Sequence, residues 1–337
     1  MMKRTVMRGS GRYLPPRLVT NDELSQWMDT SDEWIRQRTG IEQRYWTPPE
    51  GGLGSSDLGL EASKIAMQRA GWKPKDIDMI IFATLSPDFF FPGSGSLLQH
   101  KLGLDSIPAL DIRQQCTGFL YGMTTADAYI RSGLANRILL VGAEVHSCGL
   151  DISTNGRDVA VIFGDGAGVV CLEGAQTDEP VGVLASALHA DGAFAESLMV
   201  EAEGSRMKPR ITRELIEEGR HFPTMDGKTI FKLAVQKLPE VVNEVVKKAG
   251  LALDDIDLFI PHQANLRINQ FFAHSLKLPE EKVFNNILRY GNTPAASIPI
   301  DFDEALEMNI IGDGSTVLFL GLGSGLTWGA VIVRVGS

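Results

Sequence analysis

The chain has 337 residues, of which 44% are hydrophobic and 22% charged, as is typical of a globular protein with one large or two moderate cores. Its 42 acidic residues outnumber its 32 basic ones, and the resulting formal charge of −10 argues against a general nucleic-acid-binding protein. The three cysteines form no C-x-x-C pair, no apolar run is long enough to span a membrane, and the first ten residues lack a signal-peptide core. We therefore expect a cytoplasmic protein with reduced thiols.

Two helix starts are predicted near the N-terminus, at 20–23 and at 30–35. The second leads into Trp34, Arg36 and Arg38, a combination that could stack on a nucleotide base and pair with phosphates. The alternative, which fits the same spacing, is a half-exposed tryptophan beside arginines that are simply solvated. The sequence leaves both interpretations open.

A pattern of helix, glycine and strand occurs twice in the chain with one constant offset. Gly71 and Gly250 lie 179 positions apart, and so do the apolar strands 79–83 and 258–261 and the strand-ending glycines Gly142 and Gly321. Matched elements at a single offset indicate two structurally equivalent halves. Their alternating strands and helices indicate α/β layers with buried sheets. We place the boundary near 176–180 and predict halves at 1–175 and 176–337.

A long polar segment at 192–222 interrupts the second half. It carries five basic residues, Arg206, Lys208, Arg210, Arg213 and Arg220. Such a segment is by default a solvated surface excursion, and the alternative is a basic rim for an anionic ligand.

Cys116 is the first candidate for chemistry. A short apolar strand at 107–112 runs into polar residues, and a buried helix follows from Phe119, so the thiol lies at or near a helix N-terminus. Unpaired backbone N–H groups and the helix dipole favour a thiolate there, and we expect the pKa of Cys116 to fall below that of an ordinary thiol. The alternative is that Cys116 is a small buried hydrophobic residue.

Two further candidates lie in the second half. His262 follows the end of the buried strand 258–261, where α/β architectures gather ligands. By the 179-residue offset Cys116 corresponds to Ala295, so Asn292 lies in the loop that mirrors the cysteine's own. If the halves pack about a pseudo-twofold axis, the two loops converge. Alone, His262 could be a hydrogen-bonded structural residue and Asn292 a turn residue.

The glycine-rich stretch 320–329 is not a dinucleotide-binding loop. Only 12 residues follow Gly325, and they have the pattern of a strand, so no helix N-terminus can hold a pyrophosphate. The stretch is either a plain turn between strands or a source of backbone N–H groups for a developing oxyanion. The similar stretch 163–168 also precedes a strand, and we interpret it as structural.

Taken together, these motifs resemble β-ketoacyl-acyl-carrier-protein synthase III of the thiolase superfamily. The motifs are Cys116 before Gly118-Phe119, the run Pro261 to Asn265, Gly291-Asn292-Thr293, the stretch 163–168 and Thr327-Trp328-Gly329. The resemblance extends from about Tyr13 to Val335. It implies a thiolase-like five-layered αβαβα sandwich of two duplicated halves, usually a homodimer. The N-terminal half would carry the nucleophile, and the C-terminal half the His, the Asn and the oxyanion loop.

The resemblance also implies roles for individual residues. Cys116 would accept the acyl group, His262 and Asn292 would stabilise an enolate, and the N–H groups of Cys116 and Ser324 would form the oxyanion hole. The remaining implied roles are coenzyme A binding by Trp34, Arg38 and Arg157, with Trp34 and Arg157 on either side of the adenine, an acyl-pocket contact by Phe91 across the dimer, and carrier-protein docking by Arg267. No metal or redox cofactor is implied, because coenzyme A thioesters are the substrates.

The sequence departs from the family pattern around the pocket. Gln114, Gln115 and Thr117 replace small residues, Ser324 replaces a glycine, and the run 89–91 is three phenylalanines. The helix after Arg267 also lacks several basic residues that the family usually has there.

The predicted reaction is decarboxylative condensation of an acyl-coenzyme A primer with a malonyl thioester, carried by an acyl carrier protein, at the start of fatty acid synthesis. Within the superfamily, the alternatives are a related acyltransferase and a specialised-metabolite or head-to-head condensing enzyme. A cysteine hydrolase uses Cys, His and Asn in the same chain order. A catalytically silent coenzyme A-binding module is a further alternative.

Overall fold

The computed structural model describes residues 2–336, which form layered sheets and helices. The strands are β1 (Met2–Tyr13), β2 (Arg17–Thr20), β3 (Gln43–Trp46), β4 (Met79–Ala83), β5 (Ala109–Ile112), β6 (Arg137–Glu144), β7 (Gly166–Thr177), β8 (Gly182–Ala190), β9 (Leu198–Val200), β10 (Pro223–Met225), β11 (Leu258–Pro261), β12 (Thr316–Gly323) and β13 (Thr327–Arg334). The helices are α1 (Asn21–Leu24), α2 (Asp32–Thr39), α3 (Ser55–Ala70), α4 (Ser94–Lys101), α5 (Gly118–Ser132), α6 (Arg157–Ala160), α7 (Arg213–Glu217), α8 (Gly227–Ala249), α9 (Leu266–Ser275), α10 (Ile287–Tyr290) and α11 (Ser297–Glu307). No helix within residues 2–336 has both the length and the apolarity that a membrane span requires.

Four strands follow the same order in the two main sheets, and the first sheet has β5 as an additional edge strand. The first runs β1-β7-β6-β4-β5 and the second β8-β13-β12-β11. In both sheets one matched pair is parallel, β4 with β6 and β11 with β12. The pairs β6–β7 and β7–β1 of the first sheet and β12–β13 and β13–β8 of the second are antiparallel. The first sheet ends along the chain at Thr177 and the second begins at Gly182. The repeated order is the three-dimensional form of the 179-residue offset.

The repeated glycines end equivalent outer helices. Gly71 follows α3 with φ 68°, and Gly250 follows α8 with φ 70°, both in the left-handed region that glycine adopts without a steric penalty. Each helix is then followed by a 3₁₀ turn and a buried strand. The local sequence therefore fixes where each outer helix stops and its sheet begins.

Side-chain alternation along the strands separates five layers. In the first sheet, Ile80 and Phe82 face α3 and α4, whereas Ile81 faces the opposite side. In the second sheet, Leu318 faces α8 and α9, whereas Phe319 faces inward. Helices α5 and α11 fill the layer between the sheets. There the ring of Phe319 makes edge contacts with Phe119 of α5 and Phe302 of α11, with 6.0 and 5.4 Å between ring centres.

The backbone turns before α5 and α11 pack closely against the opposite half. A Cβ atom on Gly142 of β6 would lie under 3.0 Å from the carbonyl oxygen of Ala295, so only glycine fits. At the equivalent place in the second half, a Cβ on Gly321 would lie 3.2 Å from Cβ of His262 and 3.7 Å from the carbonyl oxygen of Cys116. The contacts of Gly142 with Ala295 and of Gly321 with Cys116 each cross from one half to the other, as a pseudo-twofold arrangement requires.

The segment 192–222 is only partly a surface excursion. Strands β9 and β10 form a hairpin across its base, and Leu198 of β9 packs against the core that α8 covers. Arg213 pairs with Glu217, and Arg220 pairs with Glu201 and Glu218. These two arginines are therefore engaged within the segment and do not form a free basic rim.

Candidate active site

Cys116 lies in a 3₁₀ turn, Gln115–Thr117, between β5 and α5. The preceding residue, Gln115, has φ 43°, which is uncommon for a residue with a side chain. Backbone strain of this kind is typical of functional turns, because the surrounding structure must hold it. Here it directs the chain from the end of the strand into α5 and places the buried Cys116 thiol at a cavity.

The cavity brings together the three side chains whose convergence the sequence predicts. Cys116, His262 and Asn292 line one narrow space of about 120 Å³, with Phe163, Leu198 and Leu322 among its apolar walls. The first comes from the turn before α5 and the other two from loops of the second half. The backbone of Asn292 is held to the first half, since its N–H donates to Ile162 O and its carbonyl accepts from Gly164 N, both at 2.9 Å.

Both polar side chains from the second half present unpaired atoms. His262 is 4% exposed, and its Nδ1 lies 2.7 Å from Ser297 Oγ, while its Nε2 has no hydrogen-bond partner among the described residues. Asn292 is 5% exposed, and within the same residues its Oδ1 also lacks a partner. Burial lowers the pKa of His262 to about 3, so its imidazole is neutral at pH 7. Two buried, unsatisfied polar groups at one cavity indicate a place for a polar ligand atom.

The sequence-based expectation for the Cys116 thiol is wrong. Burial and, after it, the Glu144 carboxylate raise its pKa to about 12, although the backbone N–H groups of Cys116 and Ser324 act to lower it. The cost of removing an anion from water exceeds the stabilisation by the helix end. The resting side chain is therefore a neutral thiol beside a neutral imidazole.

The end of β12 approaches the thiol very closely. A Cβ atom on Gly323 would lie 2.5 Å from Cβ and 3.0 Å from Sγ of Cys116, so glycine is required there. Ser324 follows directly, and its hydroxyl donates to Leu198 O, away from the sulfur. The glycine-rich stretch is thus a turn between β12 and β13, and it also brings the backbone of Ser324 to Cys116.

Glu144 is a buried residue that the sequence analysis missed. Its carboxylate accepts hydrogen bonds from Ser86 Oγ at 2.5 Å and Thr84 Oγ1 at 3.2 Å in the first half, and from Ala295 N at 3.1 Å in the second. Burial raises its pKa to about 7. The carboxylate therefore ties together the loops on which Cys116 and Asn292 depend. Its position directly after the apolar run 138–143 of β6 was the signal in the sequence.

A wide surface opening of about 870 Å³ adjoins this cavity. The opening and the cavity share Ile162, Met225, Gly227, Phe231 and Asn265 in their walls. The opening is also lined by Trp34, Arg38, Lys228 and Arg267, of which Arg267 is exposed at the start of α9. The Arg38 and Arg157 guanidinium carbons lie 4.3 and 4.7 Å from the centre of the Trp34 ring. The residues predicted to bind coenzyme A thus form one cluster at or beside this opening.

A second cavity, of about 310 Å³, lies on another side of Cys116. Leu85, Phe163, Leu198 and Met199 are among its walls. Phe91 is not among the described residues that line it, and its ring is 77% exposed on the surface of its own chain. The predicted pocket contact of Phe91 concerns a second copy of the chain, so it stays a prediction, as does the homodimer.

The duplicated five-layered sandwich, with a cysteine in the first half facing a histidine and an asparagine of the second, defines a thiolase-like condensing enzyme. Models of 3-oxoacyl-(acyl-carrier-protein) synthase III and of its C-terminal part match residues 110–192 and 246–335. The solved synthase III of Aquifex aeolicus VF5 is 39% identical, with a TM-score of 0.88 over 98% of this chain and 99% of the other. That of Pseudomonas aeruginosa PAO1 is 37% identical, with a TM-score of 0.89 over 99% of each chain. The chain belongs to the 3-oxoacyl-(acyl-carrier-protein) synthase III family, and it is an acyltransferase.

The pKa of Cys116 leads to a prediction about its reactivity. Because the thiol is neutral at rest, its alkylation by iodoacetamide should accelerate by about tenfold per pH unit from pH 7 to pH 9 without levelling off. The rate is measured by mass spectrometry of the peptide that contains Cys116, in a Cys148→Ser background because Cys148 is exposed. A plateau below pH 8 would show a resting thiolate and contradict the burial argument.

Proposed function

We propose that the chain condenses an acyl group from coenzyme A with a malonyl thioester, giving a 3-oxoacyl thioester and CO2 by way of an acyl-Cys116 intermediate, and so initiates fatty acid synthesis. The observation that carries the proposal is the shared cavity of Cys116, His262 and Asn292. Membership of the synthase III family supports it. A cysteine hydrolase has no comparable support from the duplicated fold.

The first step is an exchange of thioesters. Cys116 Sγ attacks the acyl carbonyl carbon, the carbon–sulfur bond to coenzyme A breaks, and the thiol proton is transferred to the departing coenzyme A sulfur. One thioester replaces another, so the step is nearly isoenergetic and needs no energy source. The backbone N–H groups of Cys116 and Ser324, which already act on Sγ, are suited to stabilise the tetrahedral oxyanion.

The hydrogen bond with Ser297 is compatible with both neutral tautomers of His262. The serine hydroxyl can accept a hydrogen bond from Nδ1–H or donate one to Nδ1 by rotating, since Nδ1 and Oγ lie 2.7 Å apart. In the first tautomer Nε2 is a proton acceptor and can relay the proton of the Cys116 thiol. In the second it carries a proton and can donate to a thioester oxygen. A neutral imidazole with a freely rotating partner can therefore serve both steps.

The second step forms the new carbon–carbon bond. The malonyl carboxylate leaves as CO2, and the electron pair that remains becomes an enolate on the thioester. Nε2–H of His262 and the side-chain amide of Asn292 would donate hydrogen bonds to the enolate oxygen in a cavity with little water. The enolate carbon attacks the acyl-Cys116 carbonyl, and the thiolate leaves and takes up a proton. These steps use the described side chains, the two thioesters and one proton from solvent, which the Cys116 thiolate takes up.

The outer opening suits the remote parts of the substrates. Arg38, Lys228 and Arg267 supply positive charge for phosphates or an acidic carrier protein, although the chain as a whole is negative. Trp34 offers a face on which adenine can stack. For adenine to stack between them, the Trp34 ring and the Arg157 guanidinium must lie about 7 Å apart, twice a van der Waals contact. The guanidinium carbon is now 4.7 Å from the ring centre, so Arg157 must move when adenine binds.

Variants of the inner cavity separate the two steps. Cys116→Ala should form no acyl adduct with acyl-coenzyme A. Asn292→Ala should still form the adduct but should release CO2 from a malonyl thioester about 100-fold more slowly or worse, because one enolate donor is lost. Intact-mass analysis and CO2 release measure the two steps, with the exposed Asn243→Ala as the matched control. Labelling of Cys116→Ala, or unchanged CO2 release by Asn292→Ala, would refute the assignment.

Variants of the outer opening distinguish the binding of coenzyme A from the docking of the carrier protein. Trp34→Ala should raise KM for acyl-coenzyme A about fivefold or more and leave KM for the same acyl group on N-acetylcysteamine unchanged, because only the coenzyme carries adenine. Arg267→Ala should raise KM for malonyl carrier protein but not for malonyl-coenzyme A. Steady-state kinetics with the four thioesters tests both expectations. Equal effects of either variant on its paired substrates would contradict these roles.

A further inference from the structure

The 310 Å³ cavity beside Cys116 is lined by polar as well as apolar side chains. Its apolar walls include Leu85 and Phe163 of the first half and the β9 segment Leu198–Val200 of the second. Arg113, Gln115 and His146 also line it. A space for a simple alkyl chain needs no polar walls, and each polar group there loses water when the chain enters. The polar residues therefore require an explanation.

None of these three side chains has a hydrogen-bond partner among the residues that the structure describes. Arg113 is exposed and lines the cavity, and among the same residues it also lacks an ion pair, so its guanidinium is free to bind an anion there. His146 is 8% exposed, and its imidazole lies nearly perpendicular to the Phe163 ring, at 4.1 Å between ring centres. The ring nitrogens of His146 keep access to the cavity and have no partner among the described residues, so they are free to form hydrogen bonds with a ligand that enters it.

The charge of the cavity defines the kind of ligand. Among the described residues that line it there is one guanidinium and no carboxylate, although the chain as a whole carries a formal charge of −10. Arginine binds carboxylates with two parallel hydrogen bonds, and an amide and a neutral imidazole can each donate one more. The volume is about twice the ~150 Å³ that holds a benzene molecule, which is enough for a chain of several carbons.

We propose that the cavity accepts an acyl group that ends in a carboxylate, and that Arg113 determines this specificity. The thioester carbon lies at Cys116, the methylene groups run along Leu85, Phe163 and Leu198, and the terminal carboxylate meets Arg113, Gln115 and His146. This inference rests on the proposed function, since it concerns the acyl group that Cys116 would accept. It adds the chemical class of the donor, a dicarboxylic acid esterified at one end to coenzyme A.

The test compares donors of equal length. Adipyl-coenzyme A and hexanoyl-coenzyme A each have six acyl carbons and differ only in ending in a carboxylate or a methyl group. Wild-type protein should acylate Cys116 with a kcat/KM at least about tenfold higher for the adipyl donor. In Arg113→Met that preference should fall about tenfold or more, and hexanoyl transfer should be retained or improved. The matched control is Arg206→Met, which removes an exposed arginine outside the cavity and should keep the wild-type preference.

The possible results are distinct. Equal rates with the two donors in wild type, or a preference that Arg113→Met leaves unchanged, would overturn the inference while the proposed function stands. Failure of every donor to label Cys116 would overturn the proposed function itself. If Arg113 instead holds a second copy of the chain, Arg113→Met should change the sedimentation coefficient and leave donor preference intact, which also refutes the inference. Circular dichroism and thermal melting of each variant show that it is folded.

Discussion

The site depends on how closely the backbones of the two halves approach each other. Gly142 meets the carbonyl of Ala295, and Gly323 meets Cys116, at separations that leave no room for a Cβ atom. These contacts fix the turns that precede α5 and α11. The nucleophile from one half and the polar side chains from the other can therefore share a narrow cavity. Glu144 reinforces the arrangement by accepting hydrogen bonds from both halves.

Close packing also determines the protonation states at the site. Burial raises the pKa of the Cys116 thiol and lowers that of the His262 imidazole, so both are uncharged at neutral pH. A neutral imidazole suits the stabilisation of an enolate, which needs a hydrogen-bond donor rather than a strong base. The same burial makes the nucleophile weaker at rest. Proton transfer must then accompany attack, and the Ser297 hydroxyl next to His262 makes that possible.

The sequence predicts the repeated architecture well because that information is local and occurs twice. Gly71 and Gly250 end equivalent helices, and the constant offset correctly pairs Gly142 with Gly321. It also places the Asn292 loop opposite Cys116. These features follow from helix ends, strand patterns and symmetry, all of which can be read without coordinates.

Other features depend on tertiary burial and escape such reasoning. The helix dipole beside Cys116 is visible in the sequence, but the desolvation that outweighs it is not. Glu144 and Ser297 show their importance only when their hydrogen-bond partners, distant in sequence, are known. The segment 192–222 has a polar composition, yet its first strand supplies Leu198 and Met199 to a cavity wall. Composition alone does not show which few residues of a loop turn inward.

The central claim is that Cys116 and His262 meet in one cavity, and cross-linking tests it most directly. 1,3-Dibromoacetone joins a thiol to an imidazole only when the two lie within a few ångströms of each other. Peptide mass spectrometry should find a single cross-link between the Cys116 and His262 peptides, and none in Cys116→Ala or His262→Ala. Alkylation of Cys116 without any link to His262 would contradict the account.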